Sequence, residues 1–195
     1  MEKTASDIES LGFNEEDVLF ILDEFVENQG RTVTETYGYL LEELNKGNTA
    51  KDIVINIEYN VVTETLQSVH GFTPSELDFI FDVYGYNPNT NKEQIIQLIS
   101  GDILRYMSRG YNKDESILRL PKIKDKCKDD ILNMIRQNKT PSQIVKRLIL
   151  LNRKHAAAAA AGIIKKRSMK TKRSMKTKRS KKTKRRRSKN RNKKI

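Results

Sequence analysis

The residues with the clearest chemistry are basic and lie together at the end of the sequence. Residues 165–195 hold 19 of the 38 Lys and Arg residues and no Asp or Glu. Such side chains neutralise nucleic-acid phosphates, and the counterions released drive binding that does not depend on base sequence. The pattern predicts a binding site for DNA or structured RNA made of Lys165, Lys166, Arg167, Lys170, Lys172, Arg173, Lys176, Lys178, Arg179, Lys181, Lys182, Lys184, Arg185, Arg186, Arg187, Lys189, Arg191, Lys193 and Lys194.

This basic segment is also a repeat of six residues. The sequence Arg-Ser-Met-Lys-Thr-Lys begins at Arg167 and again at Arg173, and it recurs with one substitution from Arg179. Only three of the segment's residues are apolar, so it lacks the material of a core, and its like charges repel. We therefore expect a disordered tail. It has no aromatic residue on which unpaired bases could stack, so phosphates are the expected contact.

Four serines in the tail each follow an arginine within a basic run, an arrangement typical of substrates of basic-directed kinases. Each phosphate would add about −1.5 to −2 charges and so weaken binding to a polyanion. The possible phosphorylation sites are Ser168, Ser174, Ser180 and Ser188.

The other residues that carry chemistry do not form a recognisable active site. His70 and His155 are far apart in the sequence, and Cys127 has no base close to it along the chain. Asp78 and Asp82 lie one helical turn apart and could hold a divalent cation, although a solvated helix face is the simpler interpretation. There is no phosphate-binding glycine loop and no zinc-ligand spacing. We therefore expect a non-enzymatic protein with no metal and no cofactor.

The charge outside the tail has the opposite sign. Without the tail, 19 basic residues remain against 25 acidic ones, a net charge of −6. We therefore expect the rest of the chain to contact an unknown protein partner rather than nucleic acid. A single cysteine suits a reducing compartment, and the longest weakly polar stretch, 156–164, is too short to span a bilayer. These features predict an intracellular protein of the nucleus, the nucleolus or a virus particle, with no membrane span.

Residues 6–155 are expected to form a series of short helices, because apolar residues recur at helical spacing behind capping signals. No stretch has a strand pattern of any weight. The expected helix starts are at Ser6, Asn14, Thr34, Thr49, Thr73, Asn91, Asn112 and Thr140.

The helices repeat. Gly12-Phe13 recurs as Gly71-Phe72, an offset of 59 residues, and three helix-turn-helix corners share one plan, at Leu44–Asp52, Met107–Glu115 and Ile135–Gln143. The predicted fold is all-α, a bundle of short helices from two repeats of about 60 residues plus a partial third. The predicted domains are a helical repeat domain at 1–155, an Ala-rich helical extension at 156–164 and the disordered tail at 165–195.

Two local resemblances add alternatives. Residues 8–44, with Leu11-Gly12-Phe13 after a short helix, resemble the ubiquitin-associated domain, whose loop pattern is Met-Gly-Phe/Tyr; this implies ubiquitin binding. The turn at 46–49 is similar to the start of a helix-turn-helix DNA-binding domain, although the corresponding second helix, near 60–69, holds no Lys or Arg. The alternative function is a helical protein–protein adaptor whose tail is only a nuclear or nucleolar targeting signal. Attraction to an anionic membrane surface is a further use of such a tail.

Overall fold

A computed structural model of the protein describes residues 2–160. All the regular elements among these residues are helical, so the all-α prediction is confirmed for this part of the chain. The chain divides into two units, Met1–Val145 and Lys146–Ile195. The domain boundaries expected at 155 and 164 remain predictions, and the tail predicted at 165–195 lies outside the described residues.

The first repeat begins with a five-residue helix and ends with a long one. A π-helical segment directly continues the second helix, so that the chain remains helical up to the predicted end near Gly30. Its elements are α1 (Ala5–Glu9), α2 (Glu15–Leu22), π1 (Asp23–Asn28), α3 (Val33–Asn45) and α4 (Ala50–Ser68).

The second repeat differs from the first in where its π-helical segment lies: inside the counterpart of α3 rather than after α2. The partial third repeat follows it. The elements of the second repeat are α5 (Pro74–Tyr84), α6 (Lys92–Leu98), the π-helical segment π2 (Ile99–Ile103), α7 (Leu104–Ser108) and α8 (Lys113–Arg119). The chain then forms α9 (Pro121–Lys126), α10 (Lys128–Arg136) and a last helix, α11, described over 141–160. Helix α9 was not among the predicted helices; Pro121 occupies its first turn, where proline is tolerated.

Most predicted helix starts are confirmed, with three corrections. The start expected at Thr34 lies two residues earlier, because Thr32 caps α3 and its side chain accepts a hydrogen bond from the Glu35 amide. The cap of α1 is Thr4 rather than Ser6, because the Asp7 carboxylate accepts a hydrogen bond from the Thr4 amide at 2.9 Å. Asn91 precedes α6 but does not cap it with its side chain, which accepts a hydrogen bond from the amide of Asn87 instead.

The three predicted corners have the same backbone geometry. Each turn has one residue in the left-handed region, Gly47 at φ 93°, Gly110 at φ 90° and Asn138 at φ 57°. The amide of that residue donates to the carbonyl three residues earlier, at 2.9–3.0 Å in all three corners. Glycine adopts this conformation without steric cost and asparagine tolerates it. The shared plan of the corners is therefore confirmed.

The repeat is also visible in burial. Phe13 and Phe72 are both buried after glycines with positive φ, and Ile21 and Ile80 are both fully buried. The starts of α2 and α5 are 59 residues apart, and so are the starts of α3 and α6. The glycines of the first and second corners are 63 residues apart. The helical run from α6 to α7 is thus four residues longer than α3.

Helix α4 links the two repeats within the first unit. Its Ile53 and Ile57 belong to the core of the first repeat, together with Ile8, Phe25 and Leu40. The same helix packs against α6 and π2 of the second repeat. The two repeats therefore share packed surface, as expected for units too small to bury a core alone.

Candidate functional site

The predicted phosphate-binding residues, Lys165 to Lys194, and the four serines among them lie outside the part of the chain that the structure describes. Their roles remain predictions. The described residues nevertheless contain a second basic region, which is not apparent from the net charge of −6 for all residues before the tail.

Charge is strongly segregated along the body. Residues 1–104 hold 20 acidic and 5 basic residues, a net charge of −15, whereas residues 105–160 hold 14 basic and 5 acidic residues, a net charge of +9. The value of −6 obtained from the sequence describes neither part. Basic side chains therefore become frequent some 60 residues before the tail begins, in the part of the chain that starts at α7.

A concave surface of this basic region is a cleft of about 700 Å³ formed by residues of α7 to α10 with the second corner and Pro141. We call it the α8–α10 cleft. Its lining includes four basic side chains, Arg109, Arg119, Lys124 and Lys128, and two acidic ones, Glu115 and Asp125. All four basic residues are exposed, so the cleft has a cationic rim. Its volume falls in the range of ligand and peptide pockets.

The floor of the cleft is apolar. On α10, Leu132 is 42 % exposed and Ile135 is 53 % exposed, while Met134 is buried. Ile131, Leu132 and Ile135 lie at helical spacing on α10, a pattern that usually marks a core face. The structure instead directs all three into the cleft, and Met134 supplies the buried contact. These side chains are functional candidates that sequence reasoning missed. The sequence did carry a signal for this, because the adjacent apolar residues Met134 and Ile135 cannot both lie on one narrow stripe of a helix.

The second corner positions two tyrosines in the cleft wall. The amide of Tyr111 donates to the carbonyl of Tyr106 across the turn at 3.3 Å, and their rings meet edge to face with centroids 6.4 Å apart. The guanidinium of Arg119 lies 3.7 Å from the Tyr111 ring centroid. This cation–π contact covers the face on which a nucleic-acid base would stack.

A buried ion pair fixes the start of α8, which forms one side of the cleft. Lys113 Nζ donates to Glu76 Oε2 at 3.0 Å and to the carbonyl of Gly71 at 2.7 Å. Glu76 also accepts from the amide of Thr73 at 2.7 Å, so its carboxylate caps α5 as well. The same group of contacts therefore joins the beginnings of α5 and α8.

The remaining candidate residues are not assembled into a reactive centre. His155 is exposed, and Asp78 and Asp82 lie exposed on α5. Burial raises the pKa of the half-buried Cys127, and the negative charge of Asp130 acts in the same direction, so the thiol form is favoured at neutral pH. Within residues 2–160, no group of three or more His, Cys, Asp and Glu side chains is arranged to hold a metal ion. Nor does any helix there have the length and apolarity needed to cross a membrane.

No protein-family model matches the chain, and neither the curated proteins nor the solved structures contain a significant match. The loop that resembles a ubiquitin-associated domain places Phe13 in the core, at 4 % exposure. In the stretch near 60–69 that resembled a second DNA-binding helix, residues 60–68 belong to α4, which begins at Ala50 after the corner.

Proposed function

We propose that this protein binds nucleic acid, DNA or structured RNA, without sequence preference and without catalysis. The basic residues of 165–195 neutralise phosphates, and the helical body contacts proteins. Such a protein would condense or tether nucleic acid in a nucleus, a nucleolus or a virus particle.

The observation that carries this proposal is the ordering of charge along the chain. Net charge runs from −15 over residues 1–104 to +9 over 105–160 and +19 over 165–195. The strongest positive charge is therefore at the end of the sequence given, and the nearest folded residues share its sign. A polycation of this density favours phosphate contact through counterion release, whereas the net charge of −15 over residues 1–104 disfavours phosphate contact with that part of the chain.

The salt dependence of affinity tests the proposal. We expect the full chain to bind duplexes of unrelated sequence, with log affinity falling linearly against log salt by about 0.9 for each phosphate neutralised. Removing residues 165–195 should abolish nearly all binding, and scrambling their order at constant composition should change little. Full retention of affinity by residues 1–164 would contradict the proposal, and loss on scrambling would indicate a partner that reads the six-residue repeat.

A matched pair of triple variants separates the tail from the body. Replacing Arg185, Arg186 and Arg187 with Gln removes the same charge as replacing Arg109, Lys124 and Lys128 with Gln. The tail variant should reduce the salt slope by up to about 2.7, whereas the body variant should leave it nearly unchanged. The reverse result would assign binding to the body.

A second candidate function is a helical adaptor whose tail is only a targeting signal. The apolar floor of the α8–α10 cleft favours it, because Leu132 and Ile135 are exposed in a region otherwise rich in charge. Absence of nucleic-acid binding by the full chain at low salt, together with nuclear accumulation that depends on the tail, would support this function instead.

A further inference from the structure

The acidic first repeat exposes one large apolar side chain on its second helix. Leu19 is 64 % exposed on α2. Glu15 and Glu16 precede it by four and three residues and Asp23 follows it by four, so three exposed carboxylates surround it on the same helical face. We call this surface the Leu19 face. The Leu19 face therefore combines an exposed apolar side chain with three negatively charged neighbours.

The α8–α10 cleft has the complementary chemistry. Its floor is apolar, with Ile135 and Leu132 about half exposed, and its rim carries Arg109, Lys124 and Lys128. Leu19 and Ile135 are 64 % and 53 % exposed, so residues 2–160 of the same chain cover neither surface. Each therefore remains available to a second molecule.

We propose that the Leu19 face of one copy docks into the α8–α10 cleft of a second copy. Leucine would enter the apolar floor, and the surrounding carboxylates would meet the basic rim. The charges of the two regions, −15 over residues 1–104 and +9 over 105–160, would draw the copies together in this orientation. This inference goes beyond the proposed function, because it concerns contact between copies in the absence of nucleic acid.

The two surfaces are different, so the association is head to tail. Each docked copy leaves one free Leu19 face and one free cleft, and further copies add unless the rotation between them closes a ring. Because charges at the edge of the contact are screened by salt, association should weaken as ionic strength rises. A chain of copies would also place many basic tails along one nucleic acid.

The cleft is less suited to nucleic acid itself. Glu115 and Asp125 in its lining would repel phosphates, and Arg119 already covers a face of Tyr111. An exposed isoleucine and leucine gain nothing from a phosphate backbone, whereas they would be removed from water by an apolar anchor. An acidic helix of another protein would use the same chemistry, and the experiment below separates it from a second copy.

The test is sedimentation velocity of the full chain, free of nucleic acid, over a range of concentrations. At about 50 mM salt we expect the weight-average mass to rise above the 22.6 kDa of one chain, and at about 500 mM salt we expect it to return towards that value. Leu19→Lys and Ile135→Glu should each reduce self-association at least tenfold. Both positions are exposed, so each variant is expected to keep the wild-type helical circular dichroism.

Mixing the two variants gives the decisive result. The Leu19→Lys chain keeps its cleft and the Ile135→Glu chain keeps its Leu19 face, so the mixture should form one-to-one dimers and nothing larger. Leu41→Lys, at a position that is also exposed but lies on α3, is the matched control and should associate like wild type.

Three results would overturn the inference. The first is a wild-type chain that stays monomeric at every concentration, in which case the cleft, if it is used, serves another protein. The second is self-association that both variants leave unchanged, which would indicate contact between the basic tail and the acidic repeat without docking. The third is a mixture of variants that remains monomeric. None of these results depends on nucleic-acid affinity, so they leave the proposed function to its own test.

Discussion

Two lysine–glutamate pairs show how burial changes the value of the same contact. Lys113 and Glu76 are 3.0 Å apart with side chains 27 % and 8 % exposed, whereas Lys51 and Glu93 are 2.9 Å apart and 76 % and 48 % exposed. Breaking a buried pair leaves an uncompensated charge away from water. An exposed pair is replaced by water at little cost. Lys113 therefore contributes to the stability of the body far more than its distance to Glu76 alone indicates.

Substituting the two lysines should therefore have different effects on the free energy of unfolding. Lys113→Met should lower the free energy of unfolding by about 3 kcal/mol, because Glu76 remains buried without its cation. Lys51→Met should change it by less than about 1 kcal/mol. Urea unfolding followed by circular dichroism measures both. Adding Glu76→Gln to Lys113→Met should recover part of the loss, and equal effects of the two lysine substitutions would contradict the argument.

At the scale of the elements, the helix starts are held by reciprocal capping contacts. The amide of Thr49 donates to the Asp52 carboxylate at 3.1 Å, and the Asp52 amide donates back to the Thr49 hydroxyl at 3.2 Å. The same arrangement begins α8 at Asn112 and α11 at Thr140. Each contact satisfies amides that would otherwise lack a partner at the first turn.

These contacts make stability depend on acid. Hydrogen bonds from the Thr49 hydroxyl and amide lower the pKa of Asp52 from its ordinary 3.8, and those from the amide and hydroxyl of Thr32 lower the pKa of Glu35 from its ordinary 4.5. A lowered pKa in the folded state gives stability that is fully present above the ordinary pKa and is lost as pH falls through the folded value. The melting temperature should therefore fall below about pH 4.5. An Asp52→Asn variant should show a shallower fall, and an identical pH profile would contradict this role.

The sequence predicted these helices well because their caps are local. Asn14 and Thr73 identify their helices from adjacent residues alone, and the structure confirms both. The cleft could not be predicted in the same way, because it brings Tyr106 of α7 and Ile135 of α10 into one lining, and no local signal in the sequence links them. The separation of acidic from basic residues along the chain is visible in the sequence, but the single net charge of −6 for the residues before the tail does not show it.

At the scale of the whole molecule, the tail holds more positive charge than the preceding basic region, +19 against +9. Modification of the tail should therefore be the most effective means of changing the affinity for a polyanion. The sites are the serines within its basic runs, and the acidic first repeat would be unaffected by such a change.

Phosphorylation should weaken binding in proportion to charge. Four phosphates would cancel roughly 6 to 8 of the tail's positive charges. The phosphorylated full chain should elute from a heparin or DNA column at lower salt than the unmodified chain, and a variant with all four serines replaced by Ala should not shift after kinase treatment. Unchanged elution of the phosphorylated chain would reject the switch, though not the binding. The sites are Ser168, Ser174, Ser180 and Ser188.

The π-helical segment Ile99–Ile103 lies within the helical run from α6 to α7, which is four residues longer than its counterpart α3. Four extra residues in a regular α-helix advance the chain by one turn plus roughly 40°, which would rotate every later side chain around the axis. A π turn uses more residues for each revolution and so gives back part of that angle. The π turn at Ile99–Ile103 therefore offsets part of the rotation that the four extra residues would otherwise introduce before the second corner.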